Sequence, residues 1–66
     1  MMSEFDVGDR LICNAPGSWV HDRVGTVEAV NVQSSDGILG YRLKIDGANG
    51  YTVVPPEEVA AIPDLA

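Results

Sequence analysis

The sequence predicts an all-β domain that folds as a small five-stranded barrel. Short segments rich in Val, Ile, Leu and Tyr alternate with turn signals that contain Gly, Pro, Asn and Asp. The 66-residue length leaves room for one domain only, which we place at residues 1–66 with an ordered core at about 6–62. A Pro-Pro pair near the end interrupts the strand pattern, because proline cannot donate to a sheet ladder.

The first predicted strand covers residues 10–14, after the turn at Gly8-Asp9. Its Leu11 and Cys13 share one face, where the thiol is expected to act as a small buried hydrophobe. Residues 15–22 contain Pro and Gly and are predicted to form a long loop.

The second predicted strand runs from Arg23 to about Val32. Its apolar residues slip out of alternation between Val27 and Val30, which predicts a bulge or sharp bend of the kind that small barrels need to close. A helix is also compatible with the spacing, but Val and Thr are poor helix formers and Gly25 interrupts the start.

The second half of the chain carries clearer signals. The third strand, at residues 41–46, alternates well, and the Asp-Gly and Asn-Gly pairs that follow predict a hairpin turn. The remaining predicted elements are a turn at 34–37, a fourth strand at 51–54, a one-turn 3-10 helix at 55–58, a last strand at 59–62 and a free tail at 63–66.

Five short strands with a one-turn 3-10 helix before the last strand are the pattern of an SH3-like barrel. About a dozen apolar side chains can supply its core, and each large one contributes about 1.5–3 kcal/mol when buried. The predicted core is Val7, Leu11, Cys13, Val24, Val27, Val30, Tyr41, Leu43, Ile45, Val53, Val59 and Ile62.

Composition excludes several classes of protein. With one Cys and one His, the chain can form neither an internal disulfide nor a Cys/His zinc site, and no metal or cofactor site is predicted. The formal net charge of −6 disfavours nucleic-acid binding, which depends on Lys and Arg. Apolar runs are too short to span a bilayer and no secretory signal is visible, so we expect a cytoplasmic protein.

The order of these motifs also resembles a family of small actinobacterial proteins of unknown function. The resemblance rests on residues 7–12 (VGDRLI), on His21-Asp22 followed by residues 25–30 (GTVEAV), and on Asp36-Gly37 with the later turn and Val54-Pro55. It implies an SH3-like barrel and no activity. Ile38-Leu39-Gly40 departs from the family, which has a Pro-Pro pair there. The chain is more weakly similar to the SH3-like domain of the nitrile hydratase β-subunit and, at residues 25–27, to the KOW motif.

Catalysis is not expected. Cys13 and His21 are a possible nucleophile and base, but the thiol is predicted to face the core, where thiols are normally inert. Glu57 and Glu58 follow two prolines, where acidic residues favour the first turn of a helix. His21-Asp22 is interpreted as a solvated loop pair, in which His21 can serve as a contact residue.

Trp19 is the most informative residue for function. In the long first loop it can either anchor a partner or fold back to cap the core. Tyr41 and Tyr51 can extend a partner contact, or they can pack across strands. The chain is therefore predicted to be a non-catalytic interaction or regulatory module that binds a protein partner or its own copy. The alternatives are an acidic inhibitor or mimic that occupies a nucleic-acid-binding protein, and an accessory domain of an enzyme complex.

Overall fold

The computed structural model describes residues 4–62. They form five antiparallel strands and one 3-10 turn, which confirms the predicted small all-β barrel with a 3-10 turn before its last strand. The elements are β1 (Arg10–Cys13), β2 (Val24–Gln33), β3 (Leu39–Ile45), β4 (Thr52–Val54), the 3-10 turn (Pro56–Glu58) and β5 (Val59–Ala61). The predicted tail at 63–66 lies outside the described residues.

The strands form one sheet in the order β4-β3-β2-β1-β5. The ten-residue β2 is long enough to pair with β1 through its first three residues and with β3 along most of its length. Its register with β3 shifts twice, between Val27 and Ala29 and between Ala29 and Val32. The bend predicted in this strand is thereby confirmed. Asn31 lies in the second shift with φ 54°, a left-handed conformation that Asn tolerates better than most residues.

The core lies on the inner face of the bent sheet. Alternation within the strands buries the residues expected from the sequence on β1 and β3, and Val27 on β2 joins them. Val24, Val30, Val53 and Val59 are half-buried. The buried set is Leu11, Cys13, Ala15, Val20, Val27, Tyr41, Leu43, Ile45 and Val54.

Two residues of the predicted core are exposed. Val7 is 63% exposed because it lies in the turn that precedes β1, outside the sheet. Ile62 is 40% exposed because β5 ends at Ala61, one residue earlier than predicted. The predicted core residue of β4 was wrong by one position: Val54 is fully buried, and Val53, which the sequence placed in the core, is only half-buried.

Candidate functional site

The β1–β2 loop, residues 14–23, is fixed at its base by backbone hydrogen bonds of Cys13 and Asn14. The carbonyl oxygen of Cys13 accepts a hydrogen bond from the Asp22 N–H at 2.9 Å. The N–H of Asn14, in the same peptide, donates to the Glu58 carbonyl at 2.8 Å. The start and end of the loop and the 3-10 turn are therefore held together at one end of the barrel.

Within the loop, tight turns add further backbone hydrogen bonds. Ser18 N–H donates to the Ala15 carbonyl at 2.9 Å, and Arg23 N–H donates to the Val20 carbonyl at 2.9 Å. The side chains of Ala15 and Val20 are buried and belong to the core. A loop with its own turns and buried side chains presents its remaining residues in a defined position.

His21 closes the loop from within. Its Nδ1 accepts a hydrogen bond from the Ala15 N–H at 3.1 Å. An accepting Nδ1 carries no proton, so neutral His21 holds its proton on Nε2. That nitrogen lies 3.5 Å from Oδ2 of Asp22, whose φ of 63° turns the chain back toward β2. His21 therefore positions the loop, and both of its ring nitrogens face groups other than the Cys13 thiol.

Trp19 is exposed at the outer side of this loop. It is 58% exposed, and the Arg23 guanidinium lies over its ring at 5.9 Å from the centroid. The neighbouring Val20 fills the space against the core that Trp19 was a candidate to cap. Of the two interpretations that the sequence left open, the structure favours a tryptophan available for contact.

The two tyrosines occupy different environments. Tyr41 is 4% exposed, packs edge-to-face on Phe5 at 5.7 Å between centroids, and accepts a hydrogen bond at its hydroxyl from the Glu4 N–H. It is a core residue and has no surface to offer a partner. Tyr51 is 61% exposed at the end of the β3–β4 turn, with the Arg42 guanidinium at 5.3 Å from its ring centroid. Trp19 and Tyr51 thus belong to two separate arginine–aromatic pairs.

Cys13 is buried in the core. Burial raises the pKa of its thiol, and the negative charge of Glu58 raises it further. Both effects disfavour the thiolate, which is the reactive form. This environment is the reverse of the one that activates a catalytic cysteine.

The four cations of the described range differ in location. Arg10 and Lys44 lie on one outer face, in a row with Thr26 between them, and Arg42 lies two residues from Lys44 on β3. Arg23 lies instead on the β1–β2 loop, beside Trp19. Nucleic-acid binding would require the four cations to form one cluster. Three of them share an outer face of the sheet, and Arg23 lies apart from them on the loop.

We define the Trp19 surface as Trp19 and Arg23, whose guanidinium lies over the indole ring, together with Asp22, the exposed residue that precedes Arg23. Sequence analysis placed Glu57 and Glu58 in a helical turn, and both lie in the 3-10 turn before β5. The Asn14–Glu58 hydrogen bond joins the start of the β1–β2 loop to this turn through backbone atoms. The pairing of β5 with β1 brings these two segments together.

Comparison with known proteins gives no relative: no family model, curated protein or solved structure matches the chain. The resemblances drawn from the sequence motifs stay predictions. Among residues 4–62, no three His, Cys, Asp or Glu side chains are grouped so that they could hold a metal ion. Over the same range, no helix has the length and hydropathy needed to cross a membrane.

Proposed function

We propose that this protein is a non-catalytic interaction module that binds a protein partner through the Trp19 surface. The observation that carries the proposal is the exposure of Trp19, at 58%, on a loop whose backbone is fixed by internal hydrogen bonds. Tryptophan is enriched among residues that dominate binding energy at protein interfaces. A loop that is already ordered loses less conformational entropy when a partner binds.

The surroundings of Trp19 support binding rather than chemistry. The thiol of Cys13 is buried and its pKa is raised, while His21 is engaged in holding the loop. The remaining groups of the Trp19 surface are the Arg23 guanidinium and the Asp22 carboxylate, which are suited to ion pairs and hydrogen bonds at the rim of an interface.

The test compares two exposed aromatic residues with matched environments. Trp19→Ala and Tyr51→Ala each remove an exposed ring that lies against an arginine. Tagged wild-type and variant proteins are used for affinity purification from the native host with mass spectrometry, and partner affinities are then measured with purified components. Sedimentation velocity reports the oligomeric state of each protein.

We expect Trp19→Ala to weaken binding by about 30-fold or more, the loss typical of a truncated interface hot spot. Tyr51→Ala should retain the affinity within about threefold, because rim and non-contact residues contribute little. If Trp19→Ala leaves every partner and the oligomeric state unchanged, the proposed surface is wrong. A selective loss with Tyr51→Ala would move the binding surface to the β3–β4 turn.

A further inference from the structure

Two adjacent residues of the β3–β4 turn combine an exposed side-chain amide with an unhindered backbone nitrogen. Asn49 and Gly50 are both exposed, and a Cβ added at Gly50 would meet no atom within 4 Å. Within residues 4–62, the Gly50 N–H donates no hydrogen bond and the Asn49 side chain takes part in none. Glycine also has no side chain to shield its nitrogen and adopts a wide range of backbone conformations. The Gly50 nitrogen is therefore able to approach the Asn49 side chain.

This arrangement allows a reaction within the chain that needs only water. The Gly50 backbone nitrogen attacks Cγ of Asn49, and a bond forms between these two atoms. The bond from Cγ to Nδ2 breaks, and the side-chain nitrogen leaves as ammonia with the proton from the Gly50 N–H. Water then opens the five-membered succinimide at either of its two carbonyl carbons, which gives aspartate or isoaspartate. The reacting groups belong to adjacent residues, and such proximity favours an intramolecular attack.

The other two asparagines of the chain are also exposed, but the nitrogen that would attack them is restrained. Asn14 is followed by Ala15, whose N–H donates to Nδ1 of His21 at 3.1 Å. Asn31 is followed by Val32, and both lie inside β2. The branched side chain of Val32 is stiff and crowds its own backbone nitrogen. Exposure alone therefore does not distinguish the three asparagines, whereas the state of the next backbone nitrogen does.

Two aspartate–glycine pairs have the spacing for the same ring, and both are restrained as well. In the Asp36-Gly37 pair, the glycine N–H donates to the Ser34 carbonyl at 3.0 Å. In the Asp46-Gly47 pair, the carboxylate accepts two hydrogen bonds from Arg10, and an ionised carboxylate is a poor electrophile. Among these five pairs, all within residues 4–62, Asn49-Gly50 alone combines an amide leaving group with an unengaged and unshielded nitrogen.

We infer that Asn49 is a site of spontaneous modification, where the chain converts asparagine into aspartate and isoaspartate through a succinimide with Gly50. This site is independent of the Trp19 surface. Each conversion replaces a neutral amide by a carboxylate and changes the formal net charge from −6 to −7. Isoaspartate also adds a methylene to the backbone, in a turn outside the strand ladder because β4 begins at Thr52. The modified chain therefore keeps its strand pairing and accumulates as a folded, more acidic form.

Incubation of the purified full chain at neutral and at mildly alkaline pH tests this site. Conversion is followed by isotope-resolved mass spectrometry of tryptic peptides, with a sample taken at zero time to correct for conversion during digestion. Electron-transfer fragmentation distinguishes aspartate from isoaspartate. The asparagines fall in different peptides, at residues 11–23 (Asn14), 24–42 (Asn31) and 45–66 (Asn49).

We expect Asn49 to convert at least about tenfold faster than Asn14 and Asn31, because only Gly50 presents a nitrogen that is neither shielded nor hydrogen-bonded. Conversion should yield both aspartate and isoaspartate. It should also be faster at the alkaline pH, because attack requires loss of the backbone N–H proton.

Asp36→Asn is the matched control, because it creates a second asparagine–glycine pair in another turn of the same chain. Gly37 has a φ of 89°, close to the 80° of Gly50, but its N–H is hydrogen-bonded. In the folded variant, position 36 should convert about fivefold more slowly than Asn49, the rate factor that corresponds to one hydrogen bond. In concentrated urea, which removes that hydrogen bond, the two positions should convert at similar rates.

Asn49→Gln lengthens the side chain so that the five-membered ring cannot form, and this variant should not develop the acidic form on isoelectric focusing. Persistence of the acidic form in Asn49→Gln would place the modification elsewhere. Conversion of Asn49 no faster than that of Asn14 and Asn31 would overturn the inference, as would equal rates at positions 36 and 49 in the folded variant. Aspartate formed without any isoaspartate would exclude the succinimide route.

Discussion

The backbone of Gly40 in β3 lies directly against the carbonyl oxygen of Val54 at the end of β4. A Cβ atom added at Gly40 would overlap that oxygen and would also meet the Val54 carbonyl carbon and the Cα of Pro55. All three atoms belong to the backbone, so no side-chain rotation can relieve the overlap. This contact lies at the end of the antiparallel β3–β4 pairing, next to the Tyr41–Val54 pair and just before the 3-10 turn, and it requires glycine.

Gly40→Ala is therefore expected to destabilise the fold severely. Overpacking commonly costs about 1–3 kcal/mol, and a clash with backbone atoms that cannot rotate away belongs at or above the upper end. Since a domain of this size has only a few kcal/mol of stability, much of the variant should be unfolded at room temperature. Urea unfolding followed by Trp19 fluorescence measures the loss.

Gly25→Ala is the matched control for Gly40. A Cβ at Gly25 would lie 3.0 Å from Cδ1 of Ile45, which can move, and 3.0 Å from the Lys44 carbonyl oxygen. We expect a smaller loss, because a shift of a few tenths of an ångström accommodates the methyl group. Equal stabilities of the two variants would contradict the close β3–β4 approach.

The strands could be predicted from the sequence better than the loops. Alternation at Tyr41, Leu43 and Ile45 identified the inner face of β3 correctly, because the strand is regular and half-buried. Burial of Val20 could not be predicted, since it depends on how the β1–β2 loop turns back over the sheet. For the same reason the sequence left Trp19 open between core and surface. Of the candidate contact residues, Tyr41 obeyed the strand pattern and is buried.

Val54 shows how pairing decides burial where a strand is short. Three residues give too little alternation to identify the inner face, but Val54 pairs with the buried Tyr41, whereas Val53 pairs with the exposed Arg42. Directly paired residues in an antiparallel sheet point to the same side. The β3–β4 register therefore places Val54 inside.

We expect Val54→Ala to cost about 2 kcal/mol, from lost burial and the cavity left behind. Val53→Ala should cost about half as much or less, because the side chain is only half-buried. Urea midpoints of the two variants, measured under the same conditions, test the order. A larger loss at Val53 would mean that the register of β4 is shifted by one residue.

Asp46 and Arg10 form a two-pronged ion pair across the outer face of the sheet, with N–O distances of 2.8 and 2.6 Å. The hydrogen bond from Arg10, aided by the charges of Arg10 and Lys44, lowers the pKa of Asp46 below its ordinary value of 3.8. A carboxylate with a lowered pKa in the folded state stabilises the fold above its unfolded pKa and loses that effect as pH falls. Both side chains are about half-exposed, so the contribution is small and sensitive to salt.

A double-mutant cycle with Arg10→Gln and Asp46→Asn isolates this pair. The coupling between the two positions should be measurable at pH 7 and low salt. It should decline as the pH drops below about 4, the range in which an Asp carboxylate takes up a proton. Chemical unfolding at several pH values provides the measurement. Coupling that is unchanged between pH 7 and pH 2 would show that the ion pair is not its source.

His21 and Ala15 determine how rigidly Trp19 is presented. His21→Leu removes the acceptor of the Ala15 N–H, and loss of such a hydrogen bond typically costs about 1 kcal/mol. His21→Asn is the matched control, because an amide oxygen on the same branch of the side chain can accept from that N–H. We expect faster amide exchange at Ala15 and faster depolarisation of Trp19 fluorescence in His21→Leu, with both nearly restored in His21→Asn. Equal behaviour of the two variants would mean that the turns from Ser18 to Arg23 hold the loop without the imidazole. A loosened loop should also bind a partner more weakly than the wild type. The variant loop must be ordered when the partner binds, which costs conformational entropy, whereas the wild-type loop is already ordered by the His21–Ala15 hydrogen bond.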